Sequence, residues 1–499
     1  LRRIPLPRPP QLRTITAPAR LMRYWTEIGV PVAYDFFAEI VKESVSASVL
    51  HSQSHPLQRV KRWGAAVVGL DQDCEKSQSG VGAGWGFGPF DARSAAALSP
   101  AELAEIFGVA DLTAPLPALP EDARPGMLLG AEPVRVLGAS TVLQSTVAKR
   151  LSYVTVTGDG QLVPAAAMVI MHAKPAVGRL RPVVGIAPST QGVAPHCDPS
   201  RSAQVGVRLA QSPGDAVVAY ELPALLACLQ QGADVVCIDY PRDPATGIQL
   251  YGNHAAAGHA LIDAIVACNE LGVSAAAPVG LWGFSQGGGA VGWVCEHPEI
   301  AENLHIAAAV VAAPPVDLLE VAQHIDGGGI SGVLVYCMAQ LIVTNDAVRA
   351  VLLPKLSPTG LQALRQLMST CATGTVFQSG WRSTTSWTTT GESLAELAMV
   401  LPVVREALAS LALASASPRW PCHVVTAVHD DVIPAAQVHR LHRKWREGGA
   451  PVAFTEHPLV RFPFQTGSNH FLPYFLAMPD LIDWLFAELD RWPHRPDRW

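Results

Sequence analysis

The sequence predicts an α/β protein built on a mostly parallel sheet, and three observations carry that prediction. Strand-like and helix-like apolar patterns alternate through most of the 499 residues. The strands are near-continuous apolar runs, as expected where helices cover both faces of a sheet. Hydrophobic residues make up 49% of the chain and charged residues only 16%, which suits a large buried core and excludes a disordered chain.

Residues 1–112 read as an N-terminal extension of uncertain fold that wraps the main domain. Within it, "YDFFAEIVKESV" (34–45) has helical apolar spacing, and "SPAE" (99–102) is a capping box that opens a second helix. Between them "GVGAGWGFGPF" (80–90) reads as a glycine-aromatic loop. From 113 to 499 the pattern is regular. "LSYVTVTGDGQLVPAAAMVIMHA" (151–173) is a hairpin turning at Gly158–Gly160, and "RPVVGIAPSTQG" (181–192) is a strand running into a polar loop. A helix (220–232), a strand (233–240) and a second helix (255–272) follow, each helix stopped by glycine. Next come the strand 278–284, a helix through Val294 and the strand 304–315. At Asp317 the alternation stops, and residues 317–420 read as helices and loops alone. A helical block spliced into an α/β pattern is expected to form a cap over the edge of the sheet. The alternation resumes with strand 421–428, helix 435–449, strand 451–457 and a final amphipathic helix, 473–491.

Composition excludes several functions. A net charge of −6 gives no footprint for a polyanion, so no nucleic acid partner is expected. The nine cysteines contain no CxxC pair, which argues against a structural zinc site. Cys228, Cys237, Cys268 and Cys295 lie in apolar patterns and read as buried free thiols, whereas Cys197, in the polar loop "GVAPHCDPSR", is the best candidate for a disulfide. Six arginines occupy the first 25 residues, without the apolar core of a signal peptide. The chain begins with Leu, as expected of either a removed leader or a non-standard start codon. Ser274–Cys295 is uncharged and long enough to span a membrane, but its proline, polar residues and many glycines mark a strand, a turn and a small-residue helix. No transmembrane segment is expected, and oligomeric state is not legible.

The chemistry centres on "VGLWGFSQGGGAVGW" (279–293). A G-x-S-x-G motif is informative when a strand enters it and a helix leaves it, because the serine then sits on a strained turn with its hydroxyl exposed. Ser285 meets both conditions, with Gly283 and Gly287 where a side chain would strike a neighbouring element. A serine hydroxyl needs a base, and the base an orienting acid, each on a loop after a strand. "AVHDDVIP" offers Asp430 and Asp431, and "RFPFQTGSNHF" offers His470. The histidines at 423, 439, 442 and 457 fall inside strand or helix patterns, and His429 precedes the acid, out of order. His470 is therefore the candidate base. An oxyanion needs backbone donors: one from Gln286, after the nucleophile, and a second from the "PSTQG" loop, which holds Thr190 and Gln191.

"GFSQGGGA" with "AAPPVDL" downstream, "STQGVAPHCDPS", "CIDY", "DDVIP", a late "NH" and the upstream "PGMLLGAEPV" together resemble the secretory lipases of the fungal lipase A type and their actinobacterial relatives. The likeness runs in matching order over roughly 113–499. It implies an α/β-hydrolase with a helical cap, an ester hydrolase (lipase or carboxylesterase) acting on acyl lipids, no cofactor and no metal, and a secreted or cell-envelope location. By motif it implies Ser285 as nucleophile, Asp430 as acid, His470 as base and Gln286 and Thr190 as backbone oxyanion donors, with Asp431 a solvated neighbour. The resemblance also implies that Cys197 links into the cap, to Cys371 or Cys337. The helical block 317–420, with its apolar faces and Trp381 and Trp387, is expected to line an acyl pocket. Two departures stand out: Ser189 where the family shows glycine, and "PRDPATGIQ" after Tyr240 where it shows a Gly-Leu-Gly turn. The alternatives on the same residues are an acyltransferase or a peptidase, and a hydrolase-like binding protein without turnover.

Overall fold

In chain order the strands are β1 (Leu128–Pro133), β2 (Thr146–Val156), β3 (Leu162–His172), β4 (Val183–Ala187), β5 (Val207–Leu209), β6 (Ala216–Val218), β7 (Asp234–Ile238), β8 (Pro278–Phe284), β9 (His305–Ala312), β10 (Cys422–Ala427) and β11 (Val452–His457). The computed structural model describes residues 90–109, 116–142, 145–174, 180–209 and 215–492. The sequence expectations for 34–45 and 80–89 lie outside them.

Nine strands form one sheet in the order β1-β2-β3-β7-β4-β8-β9-β10-β11, and β5 and β6 form a separate hairpin. From β7 to β11 every neighbour is parallel, while β1, β2 and β3 run antiparallel at one edge. The central strands β4, β7 and β8 are buried along their whole length, as their unbroken apolar runs require.

The longer helices are α1 (Ala92–Ala96), α2 (Pro100–Phe107), α3 (Leu222–Gln230), α4 (His254–Ala267), α5 (Gln286–Glu296), α6 (Leu318–Ile325), α7 (Val333–Thr344), α8 (Asp346–Leu352), α9 (Pro358–Met368), α10 (Ala372–Ser379), α11 (Leu394–Val400), α12 (Pro402–Ala409), α13 (Ala435–Glu447) and α14 (Ser468–Arg491). Helices α4, α5 and α13 share one core with the sheet, and α3 and α14 share the core of the opposite face. Helices α6 to α12 fill the interval between β9 and β10 with no strand. Their own core takes in Ala95 of α1 and Leu103 and Phe107 of α2. The Ser99–Glu102 capping box opens α2 as its spacing predicts.

Several elements differ from expectation, among them β1, which is not an expected strand. The last helix begins at Ser468 and not at 473, running through Pro473 and Pro479. A proline ordinarily interrupts a helix, but packing of Tyr474, Phe475 and Met478 on the sheet holds this one across Pro473. The short β5–β6 hairpin is not among the expected elements, although "SPGD" (212–215) between its strands is a turn signal. Among the described residues no helix is long and apolar enough to cross a membrane.

The return from the helical block is anchored by one buried carboxylate, Glu296 at the end of α5. It accepts from the Ala414 N–H (2.7 Å), the Ser415 N–H (2.9 Å) and hydroxyl (2.8 Å), and the Trp445 indole N–H (2.9 Å). Removing it leaves the buried Trp445 indole N–H and the partly buried donors of Ala414 and Ser415 without an acceptor. We expect Glu296→Ala to cost at least about 2 kcal/mol, read as a lower urea midpoint.

Candidate active site

Strand β8 delivers Ser285 to a sharp crossing. Ser285 has φ 56° and ψ −119°, a conformation that L-residues rarely adopt, and its N–H is tied to the Ala312 carbonyl at 2.9 Å. The crossing exists because its walls lack side chains. A Cβ at Gly287 would lie 1.9 Å from the Ala187 carbonyl oxygen, and one at Gly283 would lie 2.1 Å from that of Gly287. Any other residue at either position would push β4, β8 and α5 apart.

Asp430 sits on the turn after β10. Its Oδ1 accepts from the N–H groups of Val432 (2.9 Å) and Ile433 (2.8 Å), leaving Oδ2 to meet His470 Nδ1 at 2.8 Å. Both side chains are 1% exposed. The imidazole stacks on Phe284 with ring centroids 4.7 Å apart, and Phe284 in turn stacks on Tyr474 at 3.9 Å. His470 and Tyr474, one helical turn apart on α14, thus seat that helix against the residue preceding the serine. The other imidazole nitrogen, Nε2, is buried and has no hydrogen-bond partner among the described residues. Ser285 and His470 line the same cavity but are not hydrogen-bonded to each other.

That cavity is about 840 Å³ and also takes in Gln286 and Thr190. Among the described residues neither the Gln286 nor the Thr190 N–H has a partner. The rest of the Thr190 loop is held by hydrogen bonds. The Ser189 N–H donates to buried Glu221 at 2.6 Å, the Tyr240 hydroxyl donates to the Pro188 carbonyl at 2.5 Å, and the Gln191 amide donates to the Ser189 hydroxyl at 3.2 Å. The Thr190 hydroxyl shares a hydrogen bond of 2.8 Å with the Tyr251 hydroxyl. Ser189, the departure from glycine, adopts no left-handed backbone, and its hydroxyl is used. Burial holds the Glu221 carboxyl above its usual range.

The cavity wall is apolar. It runs along Leu318, Ile325, Leu334, Met338 and Leu341 to Leu352 and Leu408 inside the helical block. Trp381 also lines it, but Trp387 does not, since its indole is packed into the helical core. The block is fastened to the Thr190 loop by the Cys197–Cys371 disulfide and by the Ala372 N–H donating to the Gln191 carbonyl at 3.0 Å. Of the two candidate partners for Cys197, Cys371 is the one used, and Cys337 is a free thiol.

A sequence model of secretory lipases matches residues 210–496, more than half of the chain. The chain belongs to the secretory lipase family. It is 27% identical over 384 residues to a protein of Mycobacterium tuberculosis named a probable inactive lipase, a match covering 76% of this chain and 81% of that one. It is 26% identical to the secreted triacylglycerol lipase LIP3 of Malassezia restricta, over 52% of this chain and 55% of that lipase. Among solved structures, Candida antarctica lipase A in its closed state superposes with a TM-score of 0.65 at 19% identity, over 79% of this chain and 88% of that one. The fold of this secretory lipase family member is that of an α/β-hydrolase.

Some residues escaped sequence reasoning. Glu221 lies inside a helical pattern with nothing to mark it. His254, which lines the cavity, heads an alanine-rich helix, and burial pushes its pKa down to about 4. Asp431 is not solvated: it is 7% exposed, and its Oδ2 accepts from the Gly467 N–H at 2.9 Å, at the start of the helix that carries His470. The chain folds back over it, which adjacency to Asp430 alone could not reveal.

Burial, reinforced by the charge of Asp430, raises the Asp431 pKa from 3.8 to about 6. An acid whose pKa is raised on folding holds its proton more tightly in the native state. Its contribution to stability is therefore full below about pH 4 and lost as the pH rises through about 6. Relative to wild type, Asp431→Asn should gain stability between those values, on the order of 1–3 kcal/mol, and level off above. Urea midpoints for both proteins across that range measure it.

Proposed function

We propose that this protein is a serine ester hydrolase that cleaves acyl esters of lipids through an acyl-enzyme. The observation that carries the reading is the buried, unpartnered Nε2 of His470, which opens on the same apolar cavity as Ser285 while Asp430 holds the opposite nitrogen. In this reading His470 Nε2 takes the Ser285 hydroxyl proton as the oxygen attacks the ester carbonyl. The N–H groups of Gln286 and Thr190 receive the developing oxyanion. His470 returns the proton to the departing alcohol, then activates a water that releases the acid and frees Ser285. Asp430 keeps the imidazole oriented and stabilises its charged form.

The apolar wall supports an acyl chain as the part of the substrate held in the cavity, with residues 317–420 acting as its cap. Relatives named as secreted lipases, together with a disulfide at the cavity's edge, support a secreted or cell-envelope location. A second reading, a hydrolase-like protein without turnover, is favoured by the name of the Mycobacterium tuberculosis relative.

One experiment separates them. Wild type and Ser285→Ala are assayed on p-nitrophenyl esters of rising chain length. The wild type should turn over these esters and keep activity on long acyl chains, while the alanine variant should fold and lose about 10⁴-fold or more in kcat. Unchanged activity in the variant would remove Ser285 from the mechanism, and an inert wild type would favour the second reading. Met338→Trp, which fills part of the acyl path, should lower the rate on long chains at least about 10-fold while sparing short ones.

Glu221 tests the oxyanion loop. With its acceptor gone, Ser189 is released and Thr190 loses its aim. Glu221→Ala should lower kcat on the order of 10²-fold with little change in KM, and Glu221→Gln, which keeps an acceptor oxygen, should recover most of the loss. An equal loss in both variants, or a loss confined to KM, would count against the role.

A further inference from the structure

Among the described residues six cysteines stand outside the Cys197–Cys371 disulfide, and two of them face each other. Cys295 is the penultimate residue of α5, and Cys422 is the first residue of β10. Their sulfurs are 3.6 Å apart, and neither residue is exposed at all. We propose that this pair is a second disulfide site, closed while the chain folds in an oxidising compartment.

The surroundings favour closure. Cys422 pairs with Ala309 on β9, and Val291 and Val294 of α5 share the core beneath that strand with Cys295 and Cys422. Next to Cys295, Glu296 binds residues 414 and 415, a few positions before Cys422. The backbone on both sides is therefore held in place, with the sulfurs 3.6 Å apart against a bond length of about 2.05 Å. The link would close a loop containing β9 and the entire helical block, joining the end of α5 to the point where the chain returns from that block. The Cys197–Cys371 bond holds the middle of the block, so the two links would restrain it at separate places. Long loops are where such a link removes most freedom from the unfolded chain.

The chemistry is exchange with a disulfide oxidant such as oxidised glutathione or a protein disulfide. One cysteine thiolate attacks the oxidant and expels one of its sulfurs as a thiol. The second cysteine then displaces the other sulfur, so that two protein thiols lose two protons and two electrons and the oxidant leaves as two thiols. In the folded protein burial pushes the Cys422 thiol well above its ordinary pKa, so the exchange belongs to the folding chain, before the corner is sealed. None of this depends on the catalytic reading of Ser285.

The test is to refold the full chain in a glutathione redox buffer, unfold it in guanidinium with a thiol-alkylating trap, and map its peptides without reduction. The expected result is a peptide pair joined through Cys295 and Cys422, alongside the Cys197–Cys371 pair. Alkylation of both residues, or a bond from either to a third cysteine, overturns the proposal. The oxidised wild type should also melt on the order of 5–10 °C above the variant carrying Cys295→Ala and Cys422→Ala. Equal melting temperatures would overturn the claim that the bond restrains the helical block.

Discussion

The close approach of three backbone segments at Ser285 is the constraint on which the site depends. Strand β8 must pass to α5 through a turn whose serine has a positive φ, and the carbonyls of Ala187 and Gly287 occupy the space that side chains at 287 and 283 would need. The strain is held by what surrounds it: the Ser285 N–H is fixed to Ala312 on the neighbouring strand, and α5 is sealed into the core. The same compression brings the start of α5, with its unpaired N–H groups, beside the loop that follows β4.

Around that crossing, side chains join chain segments that are far apart in sequence. Phe284 is stacked upon by His470 and Tyr474, so the helix bearing the imidazole is registered against the strand bearing the serine. Asp431 tethers the first turn of that helix through the Gly467 N–H. Glu221 and Tyr240 hold the Thr190 loop, and Cys371 binds that loop to the helical block. Each contact spends polar or aromatic burial on geometry, which explains why so many charged groups lie under the surface so close to one cavity.

The helical block takes part in two cores. Its inner faces make the apolar wall of the cavity, and its own core absorbs α1 and α2, so that residues 92–107 pack with the block and not with the sheet. The return to the sheet is fixed at Glu296. The chain thus leaves β9 beside the first turn of α5, the helix that begins at the serine, and returns at that helix's far end.

Local signals carried much of this into the sequence. The period of the apolar residues named the strands and helices, the glycines around Ser285 named the crossing, and the order of Asp430 and His470 on loops or first turns after β10 and β11 named the candidate site. These are legible because each is a property of a few neighbouring residues. What only the tertiary structure decided are pairings across long separations: Asp430 Oδ2 directed at His470, Cys371 in preference to Cys337 for Cys197, Trp387 packed away from the cavity, Asp431 buried, and Glu221 beneath Ser189. Each depends on how segments dozens or hundreds of residues apart come together, and burial and hydrogen-bond partners are properties of that three-dimensional neighbourhood and not of the residues beside them in the chain.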